Sequence, residues 1–443
     1  MNISPARTAA FEILLRVESG RAFAVDLLQG ESLAKLKEVD RNLATELVMG
    51  TLRGRGELDY WIERLSRKPM TYFEPEVAAA LRLGIYQIRF LDRIPKAAAV
   101  NESVELVKQA RKKSAAGLVN AVLRKCEPVK SAERAETEAA AALRSLPEWL
   151  RERWEINFGR EAMQALALAS LRQPPTALRV VEPGRREAVQ ARFNQEGIKS
   201  RLGKLGRAAL VVETGGVQRS ELVRERSIII QDEASQLVAE LVAPRPGQRV
   251  LDLCAAPGIK TGQLATAMGS GLLAACDVSA RRLQTMSRLL PKELPEALHL
   301  ERVRLDATQN LPFGCAFDRI LVDAPCSGTG TLARNPELKW RLRPEDIARL
   351  AEVQSQILGH ALECLAPAGR LVYATCSLEP EENEAVVESA VAGREGCRVL
   401  SAAEFSRDFP HLTALFDERG YFRTRPDRHA MDGFFAALLE RLS

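Results

Sequence analysis

The feature of this sequence that most restricts its fold is a regular alternation of short apolar runs with helical stretches, which begins near residue 236. The runs are QRVLDLC, GLLAACD, LERVRLD, FDRILVD and GRLVYATC, and most are rich in β-branched residues and leucine. Helical segments of about 10–20 residues separate most of them, which is typical of a doubly wound, mostly parallel sheet. We therefore predict a Rossmann-like α/β domain over residues 236–443.

The two preceding regions predict different structures. Residues 1–140 have apolar residues at spacings of three and four, with Gly or Pro between segments, and predict a small all-helical domain. Residues 141–235 begin with two aromatic-rich helical segments and continue with short β-rich runs around RREAVQARFNQEG. This second region predicts linker helices followed by a small α/β module, so the chain is expected to have three parts.

Polar residues stand at the ends of the predicted strands. The five strands end at Cys254, Asp277, Asp306, Asp323 and Cys376. Because ligands of doubly wound sheets bind at the carboxyl ends of the strands, these side chains are expected to line one crevice. Each acid taken alone is more typical of a helix cap, but together the acids favour a nucleoside site.

The segment CAAPGIK, residues 254–260, joins the first of these strands to a helix. Small residues would let the backbone approach a ligand closely, and a helix start offers free N–H groups to a carboxylate. Asp277 is placed to hold ribose hydroxyls, and Asp306 to meet an adenine edge. A tight turn without any ligand is the alternative interpretation of the segment.

Cysteine and histidine patterning argues against metal sites and disulfides. The chain has eight Cys and four scattered His, with no C-x-x-C pair, so no metal is expected. With no export signal or membrane span in the sequence, free thiols in the cytoplasm are expected. Cys326 and Cys376 stand where a ligand should bind. The remaining cysteines are interpreted as small buried hydrophobes: Cys126, Cys254, Cys276, Cys315, Cys364 and Cys397.

The segments LDLCAAPGIKT, DVSARRL, DAPCSGTG, NPELKWR and ATCS resemble the motif set of the Nop/Sun family of RNA cytosine-5 methyltransferases. The whole chain resembles the Sun-type ribosomal RNA methyltransferases of bacteria, in which a NusB-like RNA-binding domain and an RRM-like module precede the catalytic domain. The resemblance implies methyl transfer from S-adenosylmethionine to carbon 5 of a cytosine in small-subunit (16S) ribosomal RNA, single-stranded or flipped. Ile259 departs from the family, which usually has Gly there, so a slightly altered turn with retained binding is expected.

The resemblance also implies roles for the site residues. Cys376 would be the nucleophile that adds to carbon 6, Cys326 would assist release, and Asp323 would offset charge near N3. DNA cytosine-5 methyltransferases instead attack with the Pro-Cys cysteine, here Cys326, so the residues alone leave the two roles open. The implied cofactor-binding residues are Cys254, Ala255, Ala256, Pro257, Gly258, Ile259, Lys260, Asp277, Arg282, Asp306 and Asp323.

Two basic groups suggest RNA contacts. Arg334, Lys339 and Arg341, with Trp340 between them, could hold phosphates and stack a base, although a solvated helix start with a core Trp fits equally. The net charge of +5 arises within residues 1–145. A phosphate-binding face there would comprise Lys108, Arg111, Lys112, Lys113, Arg124 and Lys125, or these would simply be solvated.

Two other functions stay open at this point. One is methylation of tRNA or DNA instead of ribosomal RNA. The other is an RNA-binding or antitermination factor with an inactive methyltransferase fold, since fold alone does not determine activity. The presence of Asp323, Cys326 and Cys376 argues against an inactive fold, because a binding module needs neither thiol. We expect a monomer.

Overall fold

The computed structural model forms two compact units. The first comprises Met1–Pro174 and Thr331–Leu342, and the second comprises Pro175–Gly330 and Arg343–Ser443. No helix in the described ranges has the length and apolarity needed to cross a bilayer. Cys315, for which a buried position was predicted, lies outside the described residues. The residues described are 3–20, 22–130, 134–314, 316–392 and 394–442.

The first unit is built from helices around α6. Proline occupies the start of α1 and of α6, where a missing N–H costs nothing. Every residue of α6 from Val77 to Ile88 is buried, so this helix runs through the core of the unit. The helices are α1 (Pro5–Glu18), α2 (Ala24–Leu28), α3 (Glu31–Ala34), α4 (Glu38–Arg53), α5 (Arg55–Ser66), α6 (Pro75–Phe90), α7 (Lys96–Gln109), α8 (Ala116–Lys125), α9 (Arg134–Arg144), α10 (Glu148–Phe158), α11 (Arg160–Leu171) and α17 (Leu338–Arg341).

Residues 331–342 are part of the first unit although they follow it by more than 150 positions in the chain. Lys339 is fully buried, and its Nζ donates to the carbonyl oxygen of Arg53 at 2.9 Å. Glu337 is also buried, and its Oε1 accepts from the backbone N–H of Ala24 at 2.7 Å. The segment therefore supplies internal contacts of the unit.

The second unit begins with a small antiparallel sheet in the order β2-β3-β1-β4. Leu178, Phe193 and Leu210 are fully buried and pack together between the sheet and helix α12. The predicted small α/β module is present. Its elements are β1 (Thr176–Val180), α12 (Arg186–Gln195), β2 (Lys199–Leu202), β3 (Ala209–Thr214), α13 (Glu221–Arg224) and β4 (Ile228–Ile230).

A larger sheet has the order β10-β12-β9-β8-β5-β6-β7, with β11 paired to β12. Strands β5 to β9 pair in parallel, as predicted. Strand β12 lies antiparallel between β9 and β10, which the sequence did not indicate. The strands are β5 (Arg249–Asp252), β6 (Gly271–Asp277), β7 (Leu298–Arg304), β8 (Phe317–Asp323), β9 (Leu365–Thr375), β10 (Cys397–Val399), β11 (Phe422–Thr424) and β12 (Phe434–Arg441). The helices are α14 (Glu233–Leu241), α15 (Ile259–Met268), α16 (Ala280–Leu289), α18 (Pro344–Glu363), α19 (Glu384–Ala392), α20 (Ala402–Asp408) and α21 (Pro426–His429).

The large sheet has apolar packing on both faces. Val250 belongs to one core cluster and its neighbour Leu251 to another, because successive side chains of a strand point to opposite faces. Strand order reverses at β5, where β6 and β7 lie on one side and β8 and β9 on the other. A ligand crevice is expected at the carboxyl ends beside this reversal. The predicted fold class is confirmed.

Candidate active site

The turn between β5 and α15 is tightly packed. Gly258 precedes the helix with φ +105°, and a Cβ there would lie 2.3 Å from Cγ of Met286, so both backbone and space require glycine. Ala255 N donates to the carbonyl oxygen of Cys276 at 2.8 Å, which ties the turn to the end of β6. Ala255 and Ala256 are buried, whereas Pro257 is exposed and Ile259 starts α15.

Asp277, the last residue of β6, joins this turn to the next one. It is 5% exposed, and its Oδ2 accepts from Ala256 N at 3.2 Å while Oδ1 accepts from Ser279 N at 2.8 Å. Arg282 lies beside it, with Nη1 3.7 Å from Oδ2, and also donates to the carbonyl oxygen of Ala256. Ser279, and not Asp277, caps α16. Asp277 is thus a buried acid that organises two strand-end turns.

Asp306 lies two residues beyond β7 and is exposed. Its Oδ1 accepts from the hydroxyl of Thr308 at 2.7 Å and from the backbone N–H of Thr308 at 3.0 Å. These hydrogen bonds lower the pKa of Asp306. The backbone N–H of Leu305, the residue before Asp306, donates to the carbonyl oxygen of Asp277 at 3.2 Å. The turns that carry Asp277 and Asp306 are therefore adjacent.

Sequence reasoning missed Asp252, the final residue of β5. It is 1% exposed, and its Oδ2 accepts from the hydroxyl of Thr261 at 2.7 Å, while Oδ1 has no partner among the described residues. Burial raises the pKa of Asp252 to about 7, and the charges of Asp323 and Asp277 add to the shift. The signal was present, since an acid inside the apolar run RVLDLC is unexpected in a buried strand.

The two predicted cysteines lie side by side. Cys326 follows β8 and Cys376 follows β9, and these neighbouring parallel strands bring the two Sγ atoms to 3.3 Å. The hydrogen bond with Cys376, followed by burial, raises the pKa of Cys326 well above its ordinary value. Cys326 is therefore held as a thiol at neutral pH, able to donate to the sulfur of Cys376.

Lys260 and Asp323 form an ion pair beside the cysteines. Lys260 Nζ donates to Asp323 Oδ2 at 2.7 Å, and the side chains are 12% and 28% exposed. Burial lowers the pKa of Lys260, but the charge and hydrogen bond of Asp323, with the charge of Cys376, reverse this and leave it raised. The turn lysine therefore remains an ammonium next to both Asp323 and Cys376.

Cys254, predicted as a strand end, lies two residues beyond β5. Burial raises the pKa of Cys254, and the charges of Asp323, Asp252 and Asp277 raise it further. Three acidic side chains therefore lie close to Cys254 at the sheet reversal. No group of His, Cys, Asp and Glu side chains in the described ranges is arranged to hold a metal ion.

The predicted phosphate-binding group after Cys326 belongs to the first unit. The prediction is wrong for Lys339, which is fully buried and whose pKa burial lowers to about 7, with Arg53 adding to the effect. Trp340 is half-buried, with the guanidinium of Arg55 5.2 Å from its ring centroid. Arg341 donates to the carbonyl oxygen of Val17 at 2.8 Å. Lys339, Trp340 and Arg341 therefore all contact other residues of the unit.

The basic residues of α7, of α8 and of the segment between them divide into two kinds. Lys108 pairs with Glu105 at 2.7 Å, and Lys112 pairs with Glu74, so acids neutralise both. The other members of the predicted face are exposed, namely Arg111, Lys113, Arg124 and Lys125. The phosphate-binding role of this face stays a prediction, and these four residues are where it can be tested.

Comparison with protein families divides the chain into three matching regions. Residues 239–440 match the model of the 16S rRNA methyltransferase RsmB/F. Residues 4–128 match the NusB family, and residues 146–218 match the ferredoxin-like domain of RsmF/B-like methyltransferases.

Full-length relatives carry corresponding names. The chain is 35% identical over 444 residues to ribosomal RNA small subunit methyltransferase B of Pseudomonas putida, covering 99% of this chain and 98% of the relative. It is 32% identical over 449 residues to the probable ribosomal RNA small subunit methyltransferase B of Bacillus subtilis, covering both chains completely.

A solved methyltransferase homologue from Pyrococcus horikoshii also resembles the chain, with 28% identity, a TM-score of 0.56 and coverage of 69% of this chain and 99% of that one. The structure of NSun6 from the same organism has a TM-score of 0.58 at 20% identity, covering 68% and 99%, and shares the fold.

Proposed function

Because the chain belongs to the 16S rRNA methyltransferase RsmB/F family, we propose that it methylates carbon 5 of a cytosine in 16S ribosomal RNA through a covalent cysteine adduct. The observation that carries this proposal is the 3.3 Å approach of the Cys326 and Cys376 sulfur atoms. The Lys260–Asp323 ion pair lies beside them. Methylation of a cytosine ring requires one group to attack carbon 6, one to assist release and one to stabilise charge. Two thiols and a carboxylate can supply these groups.

The charge of the crevice fits S-adenosylmethionine. Three acidic side chains lie in the crevice: Asp323 pairs with the ammonium of Lys260, Asp277 lies beside the guanidinium of Arg282, and Asp252 interacts electrostatically with both other acids and with Lys260. The buried Oδ1 of Asp252 lacks a partner in the described part of the chain, so the site favours a cation or a hydrogen-bond donor. S-adenosylmethionine carries a sulfonium and an ammonium against one carboxylate, and it supplies the electrophilic methyl group. Asp277 is proposed to bind its ribose and Asp306 its adenine.

Carbon 5 of cytosine needs activation before it can accept a methyl group. The Cys376 thiolate forms a bond to carbon 6, and the electron pair of the 5,6 double bond makes carbon 5 nucleophilic. The ammonium of Lys260 favours negative charge on the sulfur of Cys376. Attack places negative charge at N3, which takes up a proton, and Asp323 at the end of β8 is proposed to stabilise the resulting N3–H by accepting its hydrogen bond.

Release requires loss of the carbon-5 proton followed by cleavage of the sulfur–carbon bond. Once Cys376 is a thioether, it no longer carries the charge that raises the pKa of Cys326. Cys326 can then give its proton to solvent and take the carbon-5 proton as a thiolate. The electrons of that C–H bond reform the double bond and expel Cys376 as a thiolate. The contact with Cys376 thus keeps Cys326 protonated before attack and, once Cys376 is a thioether, allows Cys326 to ionise.

The substrate assignment rests on the family and on the NusB-family match over residues 4–128. Transfer RNA is the alternative substrate, and an inactive RNA-binding factor is the alternative function. Bisulfite sequencing of total RNA from a strain lacking this gene should reveal one unmethylated 16S cytosine. Rescue by the wild-type chain but not by Cys376→Ala would support the proposal. A lost site in tRNA would redirect it, and an unchanged methylation map would contradict it.

Asp277→Ala is expected to weaken binding of S-adenosylmethionine by about 1–3 kcal/mol, because a buried carboxylate able to hydrogen-bond the ribose is lost. Calorimetry with the full chain measures this. Asp306→Ala is a comparison within the same crevice and should cost less, since Asp306 is exposed and already engaged by Thr308. Unchanged affinity in Asp277→Ala would remove Asp277 from the ribose role.

Replacing the four exposed basic residues of α8 and of the segment between α7 and α8 should weaken RNA binding without changing cofactor affinity. The variant carries Arg111, Lys113, Arg124 and Lys125 as alanines. The slope of log affinity against log salt should become shallower, because each lost phosphate contact reduces counterion release. Lys108→Ala is a control, since Glu105 already neutralises that residue. An identical salt slope would identify the four charges as solubilising surface.

A further inference from the structure

Glu382 is a fully buried acid with no role in the steps above. It lies between β9 and α19 and is 0% exposed. Its Oε1 accepts from the backbone N–H of Ser327 at 2.8 Å and from Nε2 of Gln354 at 2.9 Å. Its Oε2 accepts from the hydroxyls of both Ser327 and Ser377. All four acceptor positions of the carboxylate are therefore used, which offsets the cost of burying its charge.

The two serines are the residues that directly follow the two cysteines. Ser327 follows Cys326, Ser377 follows Cys376, and their hydroxyl oxygens lie 3.0 Å apart. One carboxylate is thus bonded to both cysteine loops. We call Glu382, Ser327 and Ser377 the serine clasp.

The clasp lies where the sheet no longer holds the loops together. The pairing of β8 with β9 ends at Asp323 and Ala374, before either cysteine. Beyond that point, Gly330 N donates to the carbonyl oxygen of Cys376 at 2.9 Å. Glu382 is itself fixed, because the hydroxyl of Tyr373 donates to its carbonyl oxygen at 2.6 Å. Glu382 therefore holds together the two loops that extend beyond the ends of β8 and β9.

We propose that Glu382 is a positioning residue for methyl transfer, which sets the separation of the Cys326 and Cys376 sulfur atoms through Ser327 and Ser377. The inference rests on the proposed function for its catalytic consequence. Its geometric content, the coupling of one buried acid to two thiols, is independent of any substrate. An apolar residue at 382 would leave four donors of the two loops and of Gln354 unsatisfied, which is a strong reason for the loops to shift.

The clasp also carries charge close to Cys326. The groups that act on this thiol are Cys376, by hydrogen bond and charge, and the carboxylate of Glu382, while the backbone N–H of Gly328 acts in the opposite direction. Tyr373 faces it from β9, with its own pKa raised mainly by burial. Removing the charge of Glu382 should therefore make Cys326 easier to ionise.

The test is Glu382→Gln, which keeps the shape and removes the charge. Turnover should fall about 10–100-fold with the KM for S-adenosylmethionine unchanged, because a displacement near 1 Å at reacting groups has effects of this size. Mass spectrometry can follow the labelling of Cys326 by iodoacetamide as a function of pH. The midpoint of this labelling profile should lie at lower pH than in the wild-type chain. Glu384→Gln is the matched control two residues away, where the carboxylate pairs with Arg423. It should leave turnover and labelling unchanged.

Serine variants keep the test decisive if Glu382→Gln does not fold. Ser327→Ala and Ser377→Ala each remove one hydroxyl, and the double variant should slow turnover by less than the product of the single effects, since both act through one carboxylate. Wild-type turnover together with a wild-type labelling profile in Glu382→Gln, or strictly multiplicative serine effects, would overturn the clasp. A wild-type chain inactive on RNA would overturn the proposed function alone, because the labelling shift needs no RNA.

Discussion

Cys376→Ala is expected to abolish methyl transfer and any covalent protein–RNA species, a loss on the order of 10⁴-fold or more for a missing nucleophile. Cys326→Ala should behave differently, since Cys376 can still attack carbon 6. One methyl group is then transferred, and release stalls because the group that takes the carbon-5 proton is gone. A denaturation-resistant adduct carrying label from radioactive cofactor should accumulate on a gel.

Cys397→Ala is the control for the cysteine experiment. Cys397 is half-buried on β10, at the edge of the sheet away from the sulfur pair, and its replacement should leave activity at the wild-type level. An adduct in Cys376→Ala with none in Cys326→Ala would reverse the two roles and match the DNA-enzyme scheme. Full activity in either variant would return that cysteine to a packing role and leave one thiol for the mechanism.

Asp323→Asn should reduce the single-turnover rate about 10²–10⁴-fold at saturating RNA and cofactor, the range for a lost general acid–base group. The substitution keeps the side-chain shape and removes the charge that Lys260 pairs with at 2.7 Å. Burial would then lower the pKa of Lys260 with less opposition, so the support for a Cys376 thiolate would weaken at alkaline pH. Rates measured from pH 6 to pH 9 would show the deficit growing as the pH rises.

Asp318→Asn provides the comparison, because Asp318 lies near the other end of the same strand. Its Oδ2 accepts from the backbone N–H of Arg249 at 2.8 Å, a bond that asparagine can preserve. Normal rates are expected. A change of less than about threefold in Asp323→Asn would remove this carboxylate from charge stabilisation and leave the ion pair a structural one.

Four of the five parallel strands were predictable because each is an apolar run too short for a buried helix and closed by a polar residue. The fifth, β7, is rich in charged residues and largely exposed, so its apolar pattern is weak. Of the other strands, β10 and β11 have three residues each and no pattern of their own, whereas β12 is an eight-residue, mostly apolar strand that sequence reasoning missed. The assignment of residues 331–342 to the first unit also could not be predicted from the sequence. Lysine is rarely buried unpaired, so Lys339 suggested a solvent-facing helix. The boundaries at residues 140 and 235 stay predictions.

For the site, the sequence identified the residues at strand ends but not the groups behind them. Cys326, Cys376 and Asp323 were found because strand ends converge in parallel sheets. Asp252 and Glu382 are buried, and only the atoms that they contact, here those of Thr261 and the two serines, suggest a role for them. Hydrogen-bond partners that are 5, 9 and 55 residues away along the chain follow no regular spacing in the sequence.

The discontinuity of the first unit has a consequence during synthesis. Its first segment ends at Pro174, and its last begins at Thr331. At roughly 5–20 residues per second, a ribosome takes about 10–30 s to reach residue 342 after finishing the first segment. Throughout that interval the emerging helices lack the lysine that caps the carbonyl of Arg53 and the glutamate that receives Ala24 N. The domain made first is therefore completed only after the Cys326 loop has been translated, so the nascent chain cannot mature strictly from its N-terminus onwards.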